Sequence, residues 1–231
     1  MNEKLQTSQG AYAGGASSLV ERNRVLRNTY WLLALSMVPT VAGAWLGVST
    51  GLLSTMGAGM SMIVFLVGAF GLIFAIEKNK NSAAGVPLLL AFTFFMGLML
   101  SRLLSLVLGR ADGAGLVITA FAGTGLIFFG MATLSSVIKR DLSAMGKFLF
   151  IGLIMLIVAM IANLFLQSSA LMLTLSVIAI GLFSAFILHD LKRVRDGAET
   201  NYITATLGVY ISLYNVFSSL LSILGLSSSR E

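Results

Sequence analysis

The chain has 231 residues, of which 57% are hydrophobic and 10% charged, with a net charge of +6 and no cysteine. A soluble domain carries about 25% charged residues, so this composition excludes an ordinary soluble fold. The missing cysteines exclude disulfides and thiolate metal sites. The basic balance does not read as a nucleic-acid surface. Its fifteen Lys and Arg are spread over several connections, with no basic, aromatic-interleaved face to track phosphates.

A bilayer core about 30 Å thick needs roughly 20 apolar residues per spanning helix. Seven stretches meet that length: Tyr30–Thr50, Leu52–Ile76, Val86–Leu108, Ala114–Ile138, Phe148–Leu166, Ala170–His189 and Tyr202–Leu226. They are continuous rather than alternating and too long for barrel strands. The fold class is therefore an all-α membrane bundle. It divides into a disordered tail at 1–29, a seven-helix domain at 30–226 and a short C-terminal tail at 227–231.

The first 20 residues are polar and small and cannot bury a core. Arg22, Arg24 and Arg27 mark the membrane entrance. Ala42-Gly43-Ala44 imitates a signal-peptidase site, but the polar tail before it is long and the span continues past it, which describes a signal-anchor. Gly43, Gly47 and Gly51 recur every fourth residue on one helix face, a pattern suited to close helix contact. The short turn at Thr50–Gly51 makes the first two helices antiparallel neighbours.

Basic residues gather at every second connection. Twelve of the fifteen fall on one side: Lys4, Arg22, Arg24, Arg27, Lys78, Lys80, Lys139, Arg140, Lys147, Lys192, Arg193 and Arg195. Such residues stay cytoplasmic. The expected orientation has the N-terminus inside and, after seven crossings, the C-terminus outside.

Ionisable residues within spans are functional candidates by default. Arg102 lies near the outer end of the third span, where a long side chain snorkels to the headgroups. Asp190 closes the sixth span beside His189, the single histidine, and precedes Lys192, Arg193 and Arg195. It reads either as an interfacial acid paired with those cations or as a titratable gate and weak cation site. His189 reads as a pH sensor or an interfacial packing residue. The seventh span is unusually polar, with Ser212 and Asn215 at its centre. These must point into the bundle, either bonding other helices or lining a polar path. No nucleophile elbow, zinc-protease motif, phosphate loop or paired aspartates are present, so the chain does not read as an enzyme and no cofactor is expected.

Several segments resemble the Bax-inhibitor-one family: Arg24-Val25-Leu26-Arg27 before Asn28-Thr29-Tyr30, Ile138-Lys139-Arg140-Asp141-Leu142-Ser143, and Ala162-Asn163-Leu164-Phe165-Leu166-Gln167. The longest runs from Glu199-Thr200-Asn201-Tyr202-Ile203 through Tyr210-Ile211-Ser212-Leu213-Tyr214-Asn215-Val216-Phe217 to Gly225. The likeness covers residues 22–226 and is strongest to the bacterial branch, which includes a substrate and modulator of the membrane protease FtsH. It implies a bacterial inner-membrane protein in which six helices surround a polar last helix. A tail open to capture and a bundle that resists extraction suit a protease modulator. The alternative is a pH-sensitive calcium leak channel. In such members an acid on the sixth helix pairs with one on the seventh. Asp190 matches the first acid, and the second falls at Ser212, which does not ionise.

Overall fold

The computed structural model describes residues 20–53, 56–57 and 59–227. Of the tail expected to be disordered at 1–29, residues 1–19 lie outside this set, whereas residues 20–29 are described and helical, as part of the first helix. Seven helices follow in order: α1 (Glu3–Thr50), α2 (Ala58–Asn79), α3 (Gly85–Leu108), α4 (Gly113–Val137), α5 (Met145–Leu166), α6 (Ser169–Asp196) and α7 (Tyr202–Ser227). All seven are long and apolar enough to cross a membrane. There is no strand among the described residues. Three boundaries differ from the sequence reading. The apolar part of α1 begins at Val20, so the first arginines are helical. α2 starts six residues late, and α6 continues past His189 to Asp196.

The inner helices are α3 and α7. In their apolar cores 44% and 39% of residues are buried, against 11% in α4 and in α5. α7 packs on α1, α2, α3, α4 and α6, whereas α5 is held at the periphery by α6 alone. The outward faces carry large apolar side chains such as Phe74, Phe129, Phe148 and Phe165. That pattern is wrong for water and right for lipid.

The expected α1–α2 pairing is not formed: α1 packs on α3, and α2 reaches only α3 and α7. Glycine chemistry decides this. A Cβ on Gly43 would collide with the Phe94 carbonyl oxygen, and one on Gly47 with the Ser101 hydroxyl. From the other side, a Cβ on Gly97 would collide with the Thr40 carbonyl. Close backbone approach of this kind is the main source of helix association in lipid, where the hydrophobic effect does not separate helix from solvent. Gly51 plays a different part. Its φ of 62° ends α1 in the left-handed region, where its N–H still reaches the Gly47 carbonyl at 3.1 Å. The chain then turns through the buried Leu53 before α2 begins, which gives α2 room to lie beyond α3.

Tyr210 of α7 clamps this seam. Its hydroxyl lies 2.8 Å from Thr40 Oγ1 and 3.3 Å from the Thr93 carbonyl oxygen. Thr40 sits immediately after Pro39, which supplies no N–H, and the Thr40 hydroxyl bonds the Ser36 carbonyl at 2.8 Å.

Gly97→Ala is expected to destabilise the bundle by about 1–3 kcal/mol, because the new methyl meets backbone that cannot move aside. Gly71→Ala is the control: its Cβ meets nothing within 4 Å, so helix propensity should leave it neutral or slightly stabilising. Unfolding in mixed micelles across a denaturing-detergent titration measures both. Equal midpoints would refute the interlock. Tyr210→Phe should cost about 1 kcal/mol, and with Thr40→Val the losses should not add.

Candidate functional site

The candidate site forms where the basic end of α6 crosses the first turns of α7. Asn201 starts α7: its Oδ1 accepts from the N–H groups of Ile203 (2.9 Å) and Thr204 (3.1 Å). Its Nδ2 donates to the Lys80 carbonyl at 3.0 Å and to Asn81 Oδ1 at 2.8 Å, tying α7 to the α2–α3 connection. Gly197, at φ 80°, ends α6; its N–H and that of Ala198 return to the last α6 carbonyls. This short link fixes α6 and α7 as antiparallel neighbours.

Asp190 projects from α6 onto the α7 backbone at Gly208. A Cβ on Gly208 would lie 2.8 Å from Asp190 Oδ2, so the contact needs glycine there. The other carboxylate oxygen lies 3.2 Å from His189 Nδ1. His189 is buried, and the Asp190 side chain is 19% exposed. On its far side, His189 Nε2 faces Gly146 of α5, where a Cβ would be only 2.9 Å away. The imidazole thus fills the gap between α5 and α6.

The basic residues that follow Asp190 have other partners. Lys192, buried, holds both oxygens of Asp196 at 2.5 Å, and Arg193 lies 3.7 Å from Glu199. The interfacial reading paired Asp190 with Lys192, Arg193 and Arg195. The structure gives it His189 instead, because Lys192 finds a carboxylate one helical turn further along. The α4–α5 connection approaches the same cluster. There the Ser143 N–H and hydroxyl both bond Asp141 and hold its carboxyl below the usual range, with Lys192 adding a smaller attraction. The sign follows from that direction. Any stabilisation from Asp141 is present above its unfolded pKa and is lost as pH falls through the lower folded value.

Ser212, one turn beyond Gly208, is buried and bonds the Gly208 carbonyl at 3.1 Å. Asp190 and Ser212 therefore meet the same glycine, one at its Cα and the other at its carbonyl. Asn215 Nδ2 donates to the Ile211 carbonyl at 2.8 Å, and Ser218 and Ser222 likewise bond the carbonyls four residues back. The sequence reading left these residues either bonding other helices or lining a path. The recorded bonds follow a third course, back to their own helix. No group of three His, Asp or Glu gathers to hold a metal among the described residues.

Arg102 points outward on α3, as a snorkelling residue would. The sequence reading missed Gly208 and Asn201 as site builders. Asn201 had a signal, an Asn immediately before an apolar run. Gly208 had none, since its need becomes visible only once Asp190 is placed against it.

The comparisons agree with this architecture. The family described as inhibitor of apoptosis-promoting Bax1 matches residues 22–229. An uncharacterized protein of Neisseria meningitidis serogroup B is 42% identical, over 89% of this chain and 92% of its own. The Escherichia coli K12 protein named modulator of FtsH protease YccA is 38% identical, over 92% and 94%. An uncharacterized membrane protein of Vibrio cholerae is also 38% identical, over 92% and 93%.

Gly208→Ala should push the Asp190 carboxylate off α7 and disturb its pairing with His189. The ring resonances of His189 should move from their wild-type positions, read by NMR of the single labelled histidine. Unmoved resonances would mean that the carboxylate does not rest on Gly208.

Proposed function

Because the chain belongs to the inhibitor of apoptosis-promoting Bax1 family, we propose that it is a bacterial inner-membrane protein that modulates an FtsH-type membrane protease. The observation that carries this reading is the near full-length likeness to the E. coli FtsH modulator. The fold supplies a mechanism. The apolar part of α1, from Val20, is the first span in the chain, so a protease pulling from the N-terminus must remove α1 first. That helix is interlocked with α3 through Gly43, Gly47 and Gly97 and clamped to α7 by Tyr210. Stripping it separates polar partners within hydrocarbon, where each unsatisfied group costs several kcal/mol. Capture is easy and extraction slow, so the protease is occupied and other membrane substrates are spared. The excess of Lys and Arg at one end supports a cytoplasmic basic end, with the N-terminus inside and the C-terminus outside.

Pulse-chase lifetimes in cells with an active membrane protease test this. Deleting residues 1–20 should lengthen the lifetime. Gly43→Ala in the full chain should shorten it by loosening the lock. An unchanged lifetime after the deletion would defeat the handle. Reporter fusions after Lys80, Arg140, Arg195 and Arg230 should read inside, inside, inside and outside.

One observation favours the cation-leak reading. Asp190 lies against the α7 backbone with His189, and no Lys or Arg, at ion-pair distance among the described residues. Calcium flux into liposomes that is abolished by Asp190→Asn would move the assignment to that reading.

A further inference from the structure

The backbones of α1 and α4 stay apart, although both helices flank α7. Between them runs a trough of about 1050 Å³, floored by α7 and α3 and walled by side chains such as Val41, Trp45, Phe121, Gly125 and Phe129. Its lining is almost wholly apolar, and the Tyr210 hydroxyl on its floor already has partners on α1 and α3. The trough runs along α1 from Tyr30 to Val48, so it extends through most of the bilayer. At the Tyr30 end the Tyr30 and Phe128 rings meet edge to face, 6.1 Å apart.

A second, smaller cavity of about 500 Å³ adjoins this end, sharing Tyr30 and Ala34 and adding Asn23, Arg27 and Trp31. Arg27 has no carboxylate at ion-pair distance among the described residues. The two cavities together have a cationic, hydrogen-bonding mouth at the basic end of the bundle and a long hydrocarbon-like body.

We propose that this groove is a binding site for one anionic phospholipid, its phosphate at Arg27 and an acyl chain lying between α1 and α4. Charge argues against an uncharged apolar ligand, which leaves the Arg27 guanidinium unused. The exposed Trp31, at 72%, and Trp45, at 71%, stand at the mouth and along the body.

These are also the only two tryptophans of the chain, so their fluorescence reports occupancy. The full-length protein is placed in phosphatidylcholine vesicles containing a small fraction of phosphatidylglycerol brominated on its acyl chains. Brominated phosphatidylcholine at the same fraction measures random contact with bulk lipid. Phosphatidylglycerol should quench as if enriched about fivefold, the equivalent of the roughly 1 kcal/mol that one Lys or Arg contributes beside anionic lipid. Arg27→Gln should reduce the excess toward the phosphatidylcholine value. Gly125→Leu should abolish it by filling the trough, which Gly125 lines and where a Cβ meets nothing within 4 Å; an unchanged circular-dichroism spectrum checks that the variant is folded. Equal quenching by the two lipids in the wild type overturns the proposal. So does an excess that survives Gly125→Leu, which would put the lipid elsewhere. Headgroup-independent quenching that falls as protein density rises would assign the trough to a second copy and overturn it too.

Discussion

The close approach of α1 and α3 is the contact from which the rest of the bundle is set. Three glycines bring the two backbones together where any side chain would collide. α3 thereby takes the place beside α1 that chain order would have given α2. The joined pair presents one seam to α7, and Tyr210 closes it by meeting Thr40 and the Thr93 carbonyl at once. With α7 fixed in that seam, Gly208 faces α6, and Asp190 has a backbone surface to rest on. A local rule about small side chains in lipid thus reaches the carboxylate on the opposite face of α7.

The interior follows the accounting that a bilayer imposes. No buried side-chain nitrogen or oxygen lacks a hydrogen-bond partner among the described residues. Most serine and threonine hydroxyls within the helices satisfy themselves on the carbonyl three or four residues back, which needs no cooperation from another helix. Such bonds make a polar helix tolerable in hydrocarbon without making it selective for a neighbour. Selectivity comes from the few side chains that bond across helices, chiefly Tyr210 and Asn201.

The number of spans and their rough limits were legible, because bilayer thickness sets a length that local composition must meet. Gly43 and Gly47 were legible as a contact face, but their partner was not. A small-residue face states how near another backbone can come and carries nothing about which backbone comes. The placement of α2 failed for that reason: the short link after Thr50 argued for adjacency, while Gly97, on a helix further along, supplied the better fit. At the site, Asp190 and Ser212 lie on α6 and α7, which pack together. One of the two readings of Asp190 paired it with Lys192, Arg193 and Arg195, which looked available in sequence, whereas Asp196 and Glu199 lie where the first two side chains reach.

The α1–α3 interlock also has a meaning in time. Gly43 and Gly97 are 54 residues apart, so at 5–20 residues per second a ribosome needs roughly 3–11 s to make the second after the first. For most of that interval α1 has no α3 to close on; α2 is made within it, and in the finished fold α2 packs on α3 and α7 and not on α1. The newborn chain must therefore hold its first helix unpartnered beside its second until the third arrives. During those seconds it is as open to other small-faced helices, and to surveillance, as it will ever be.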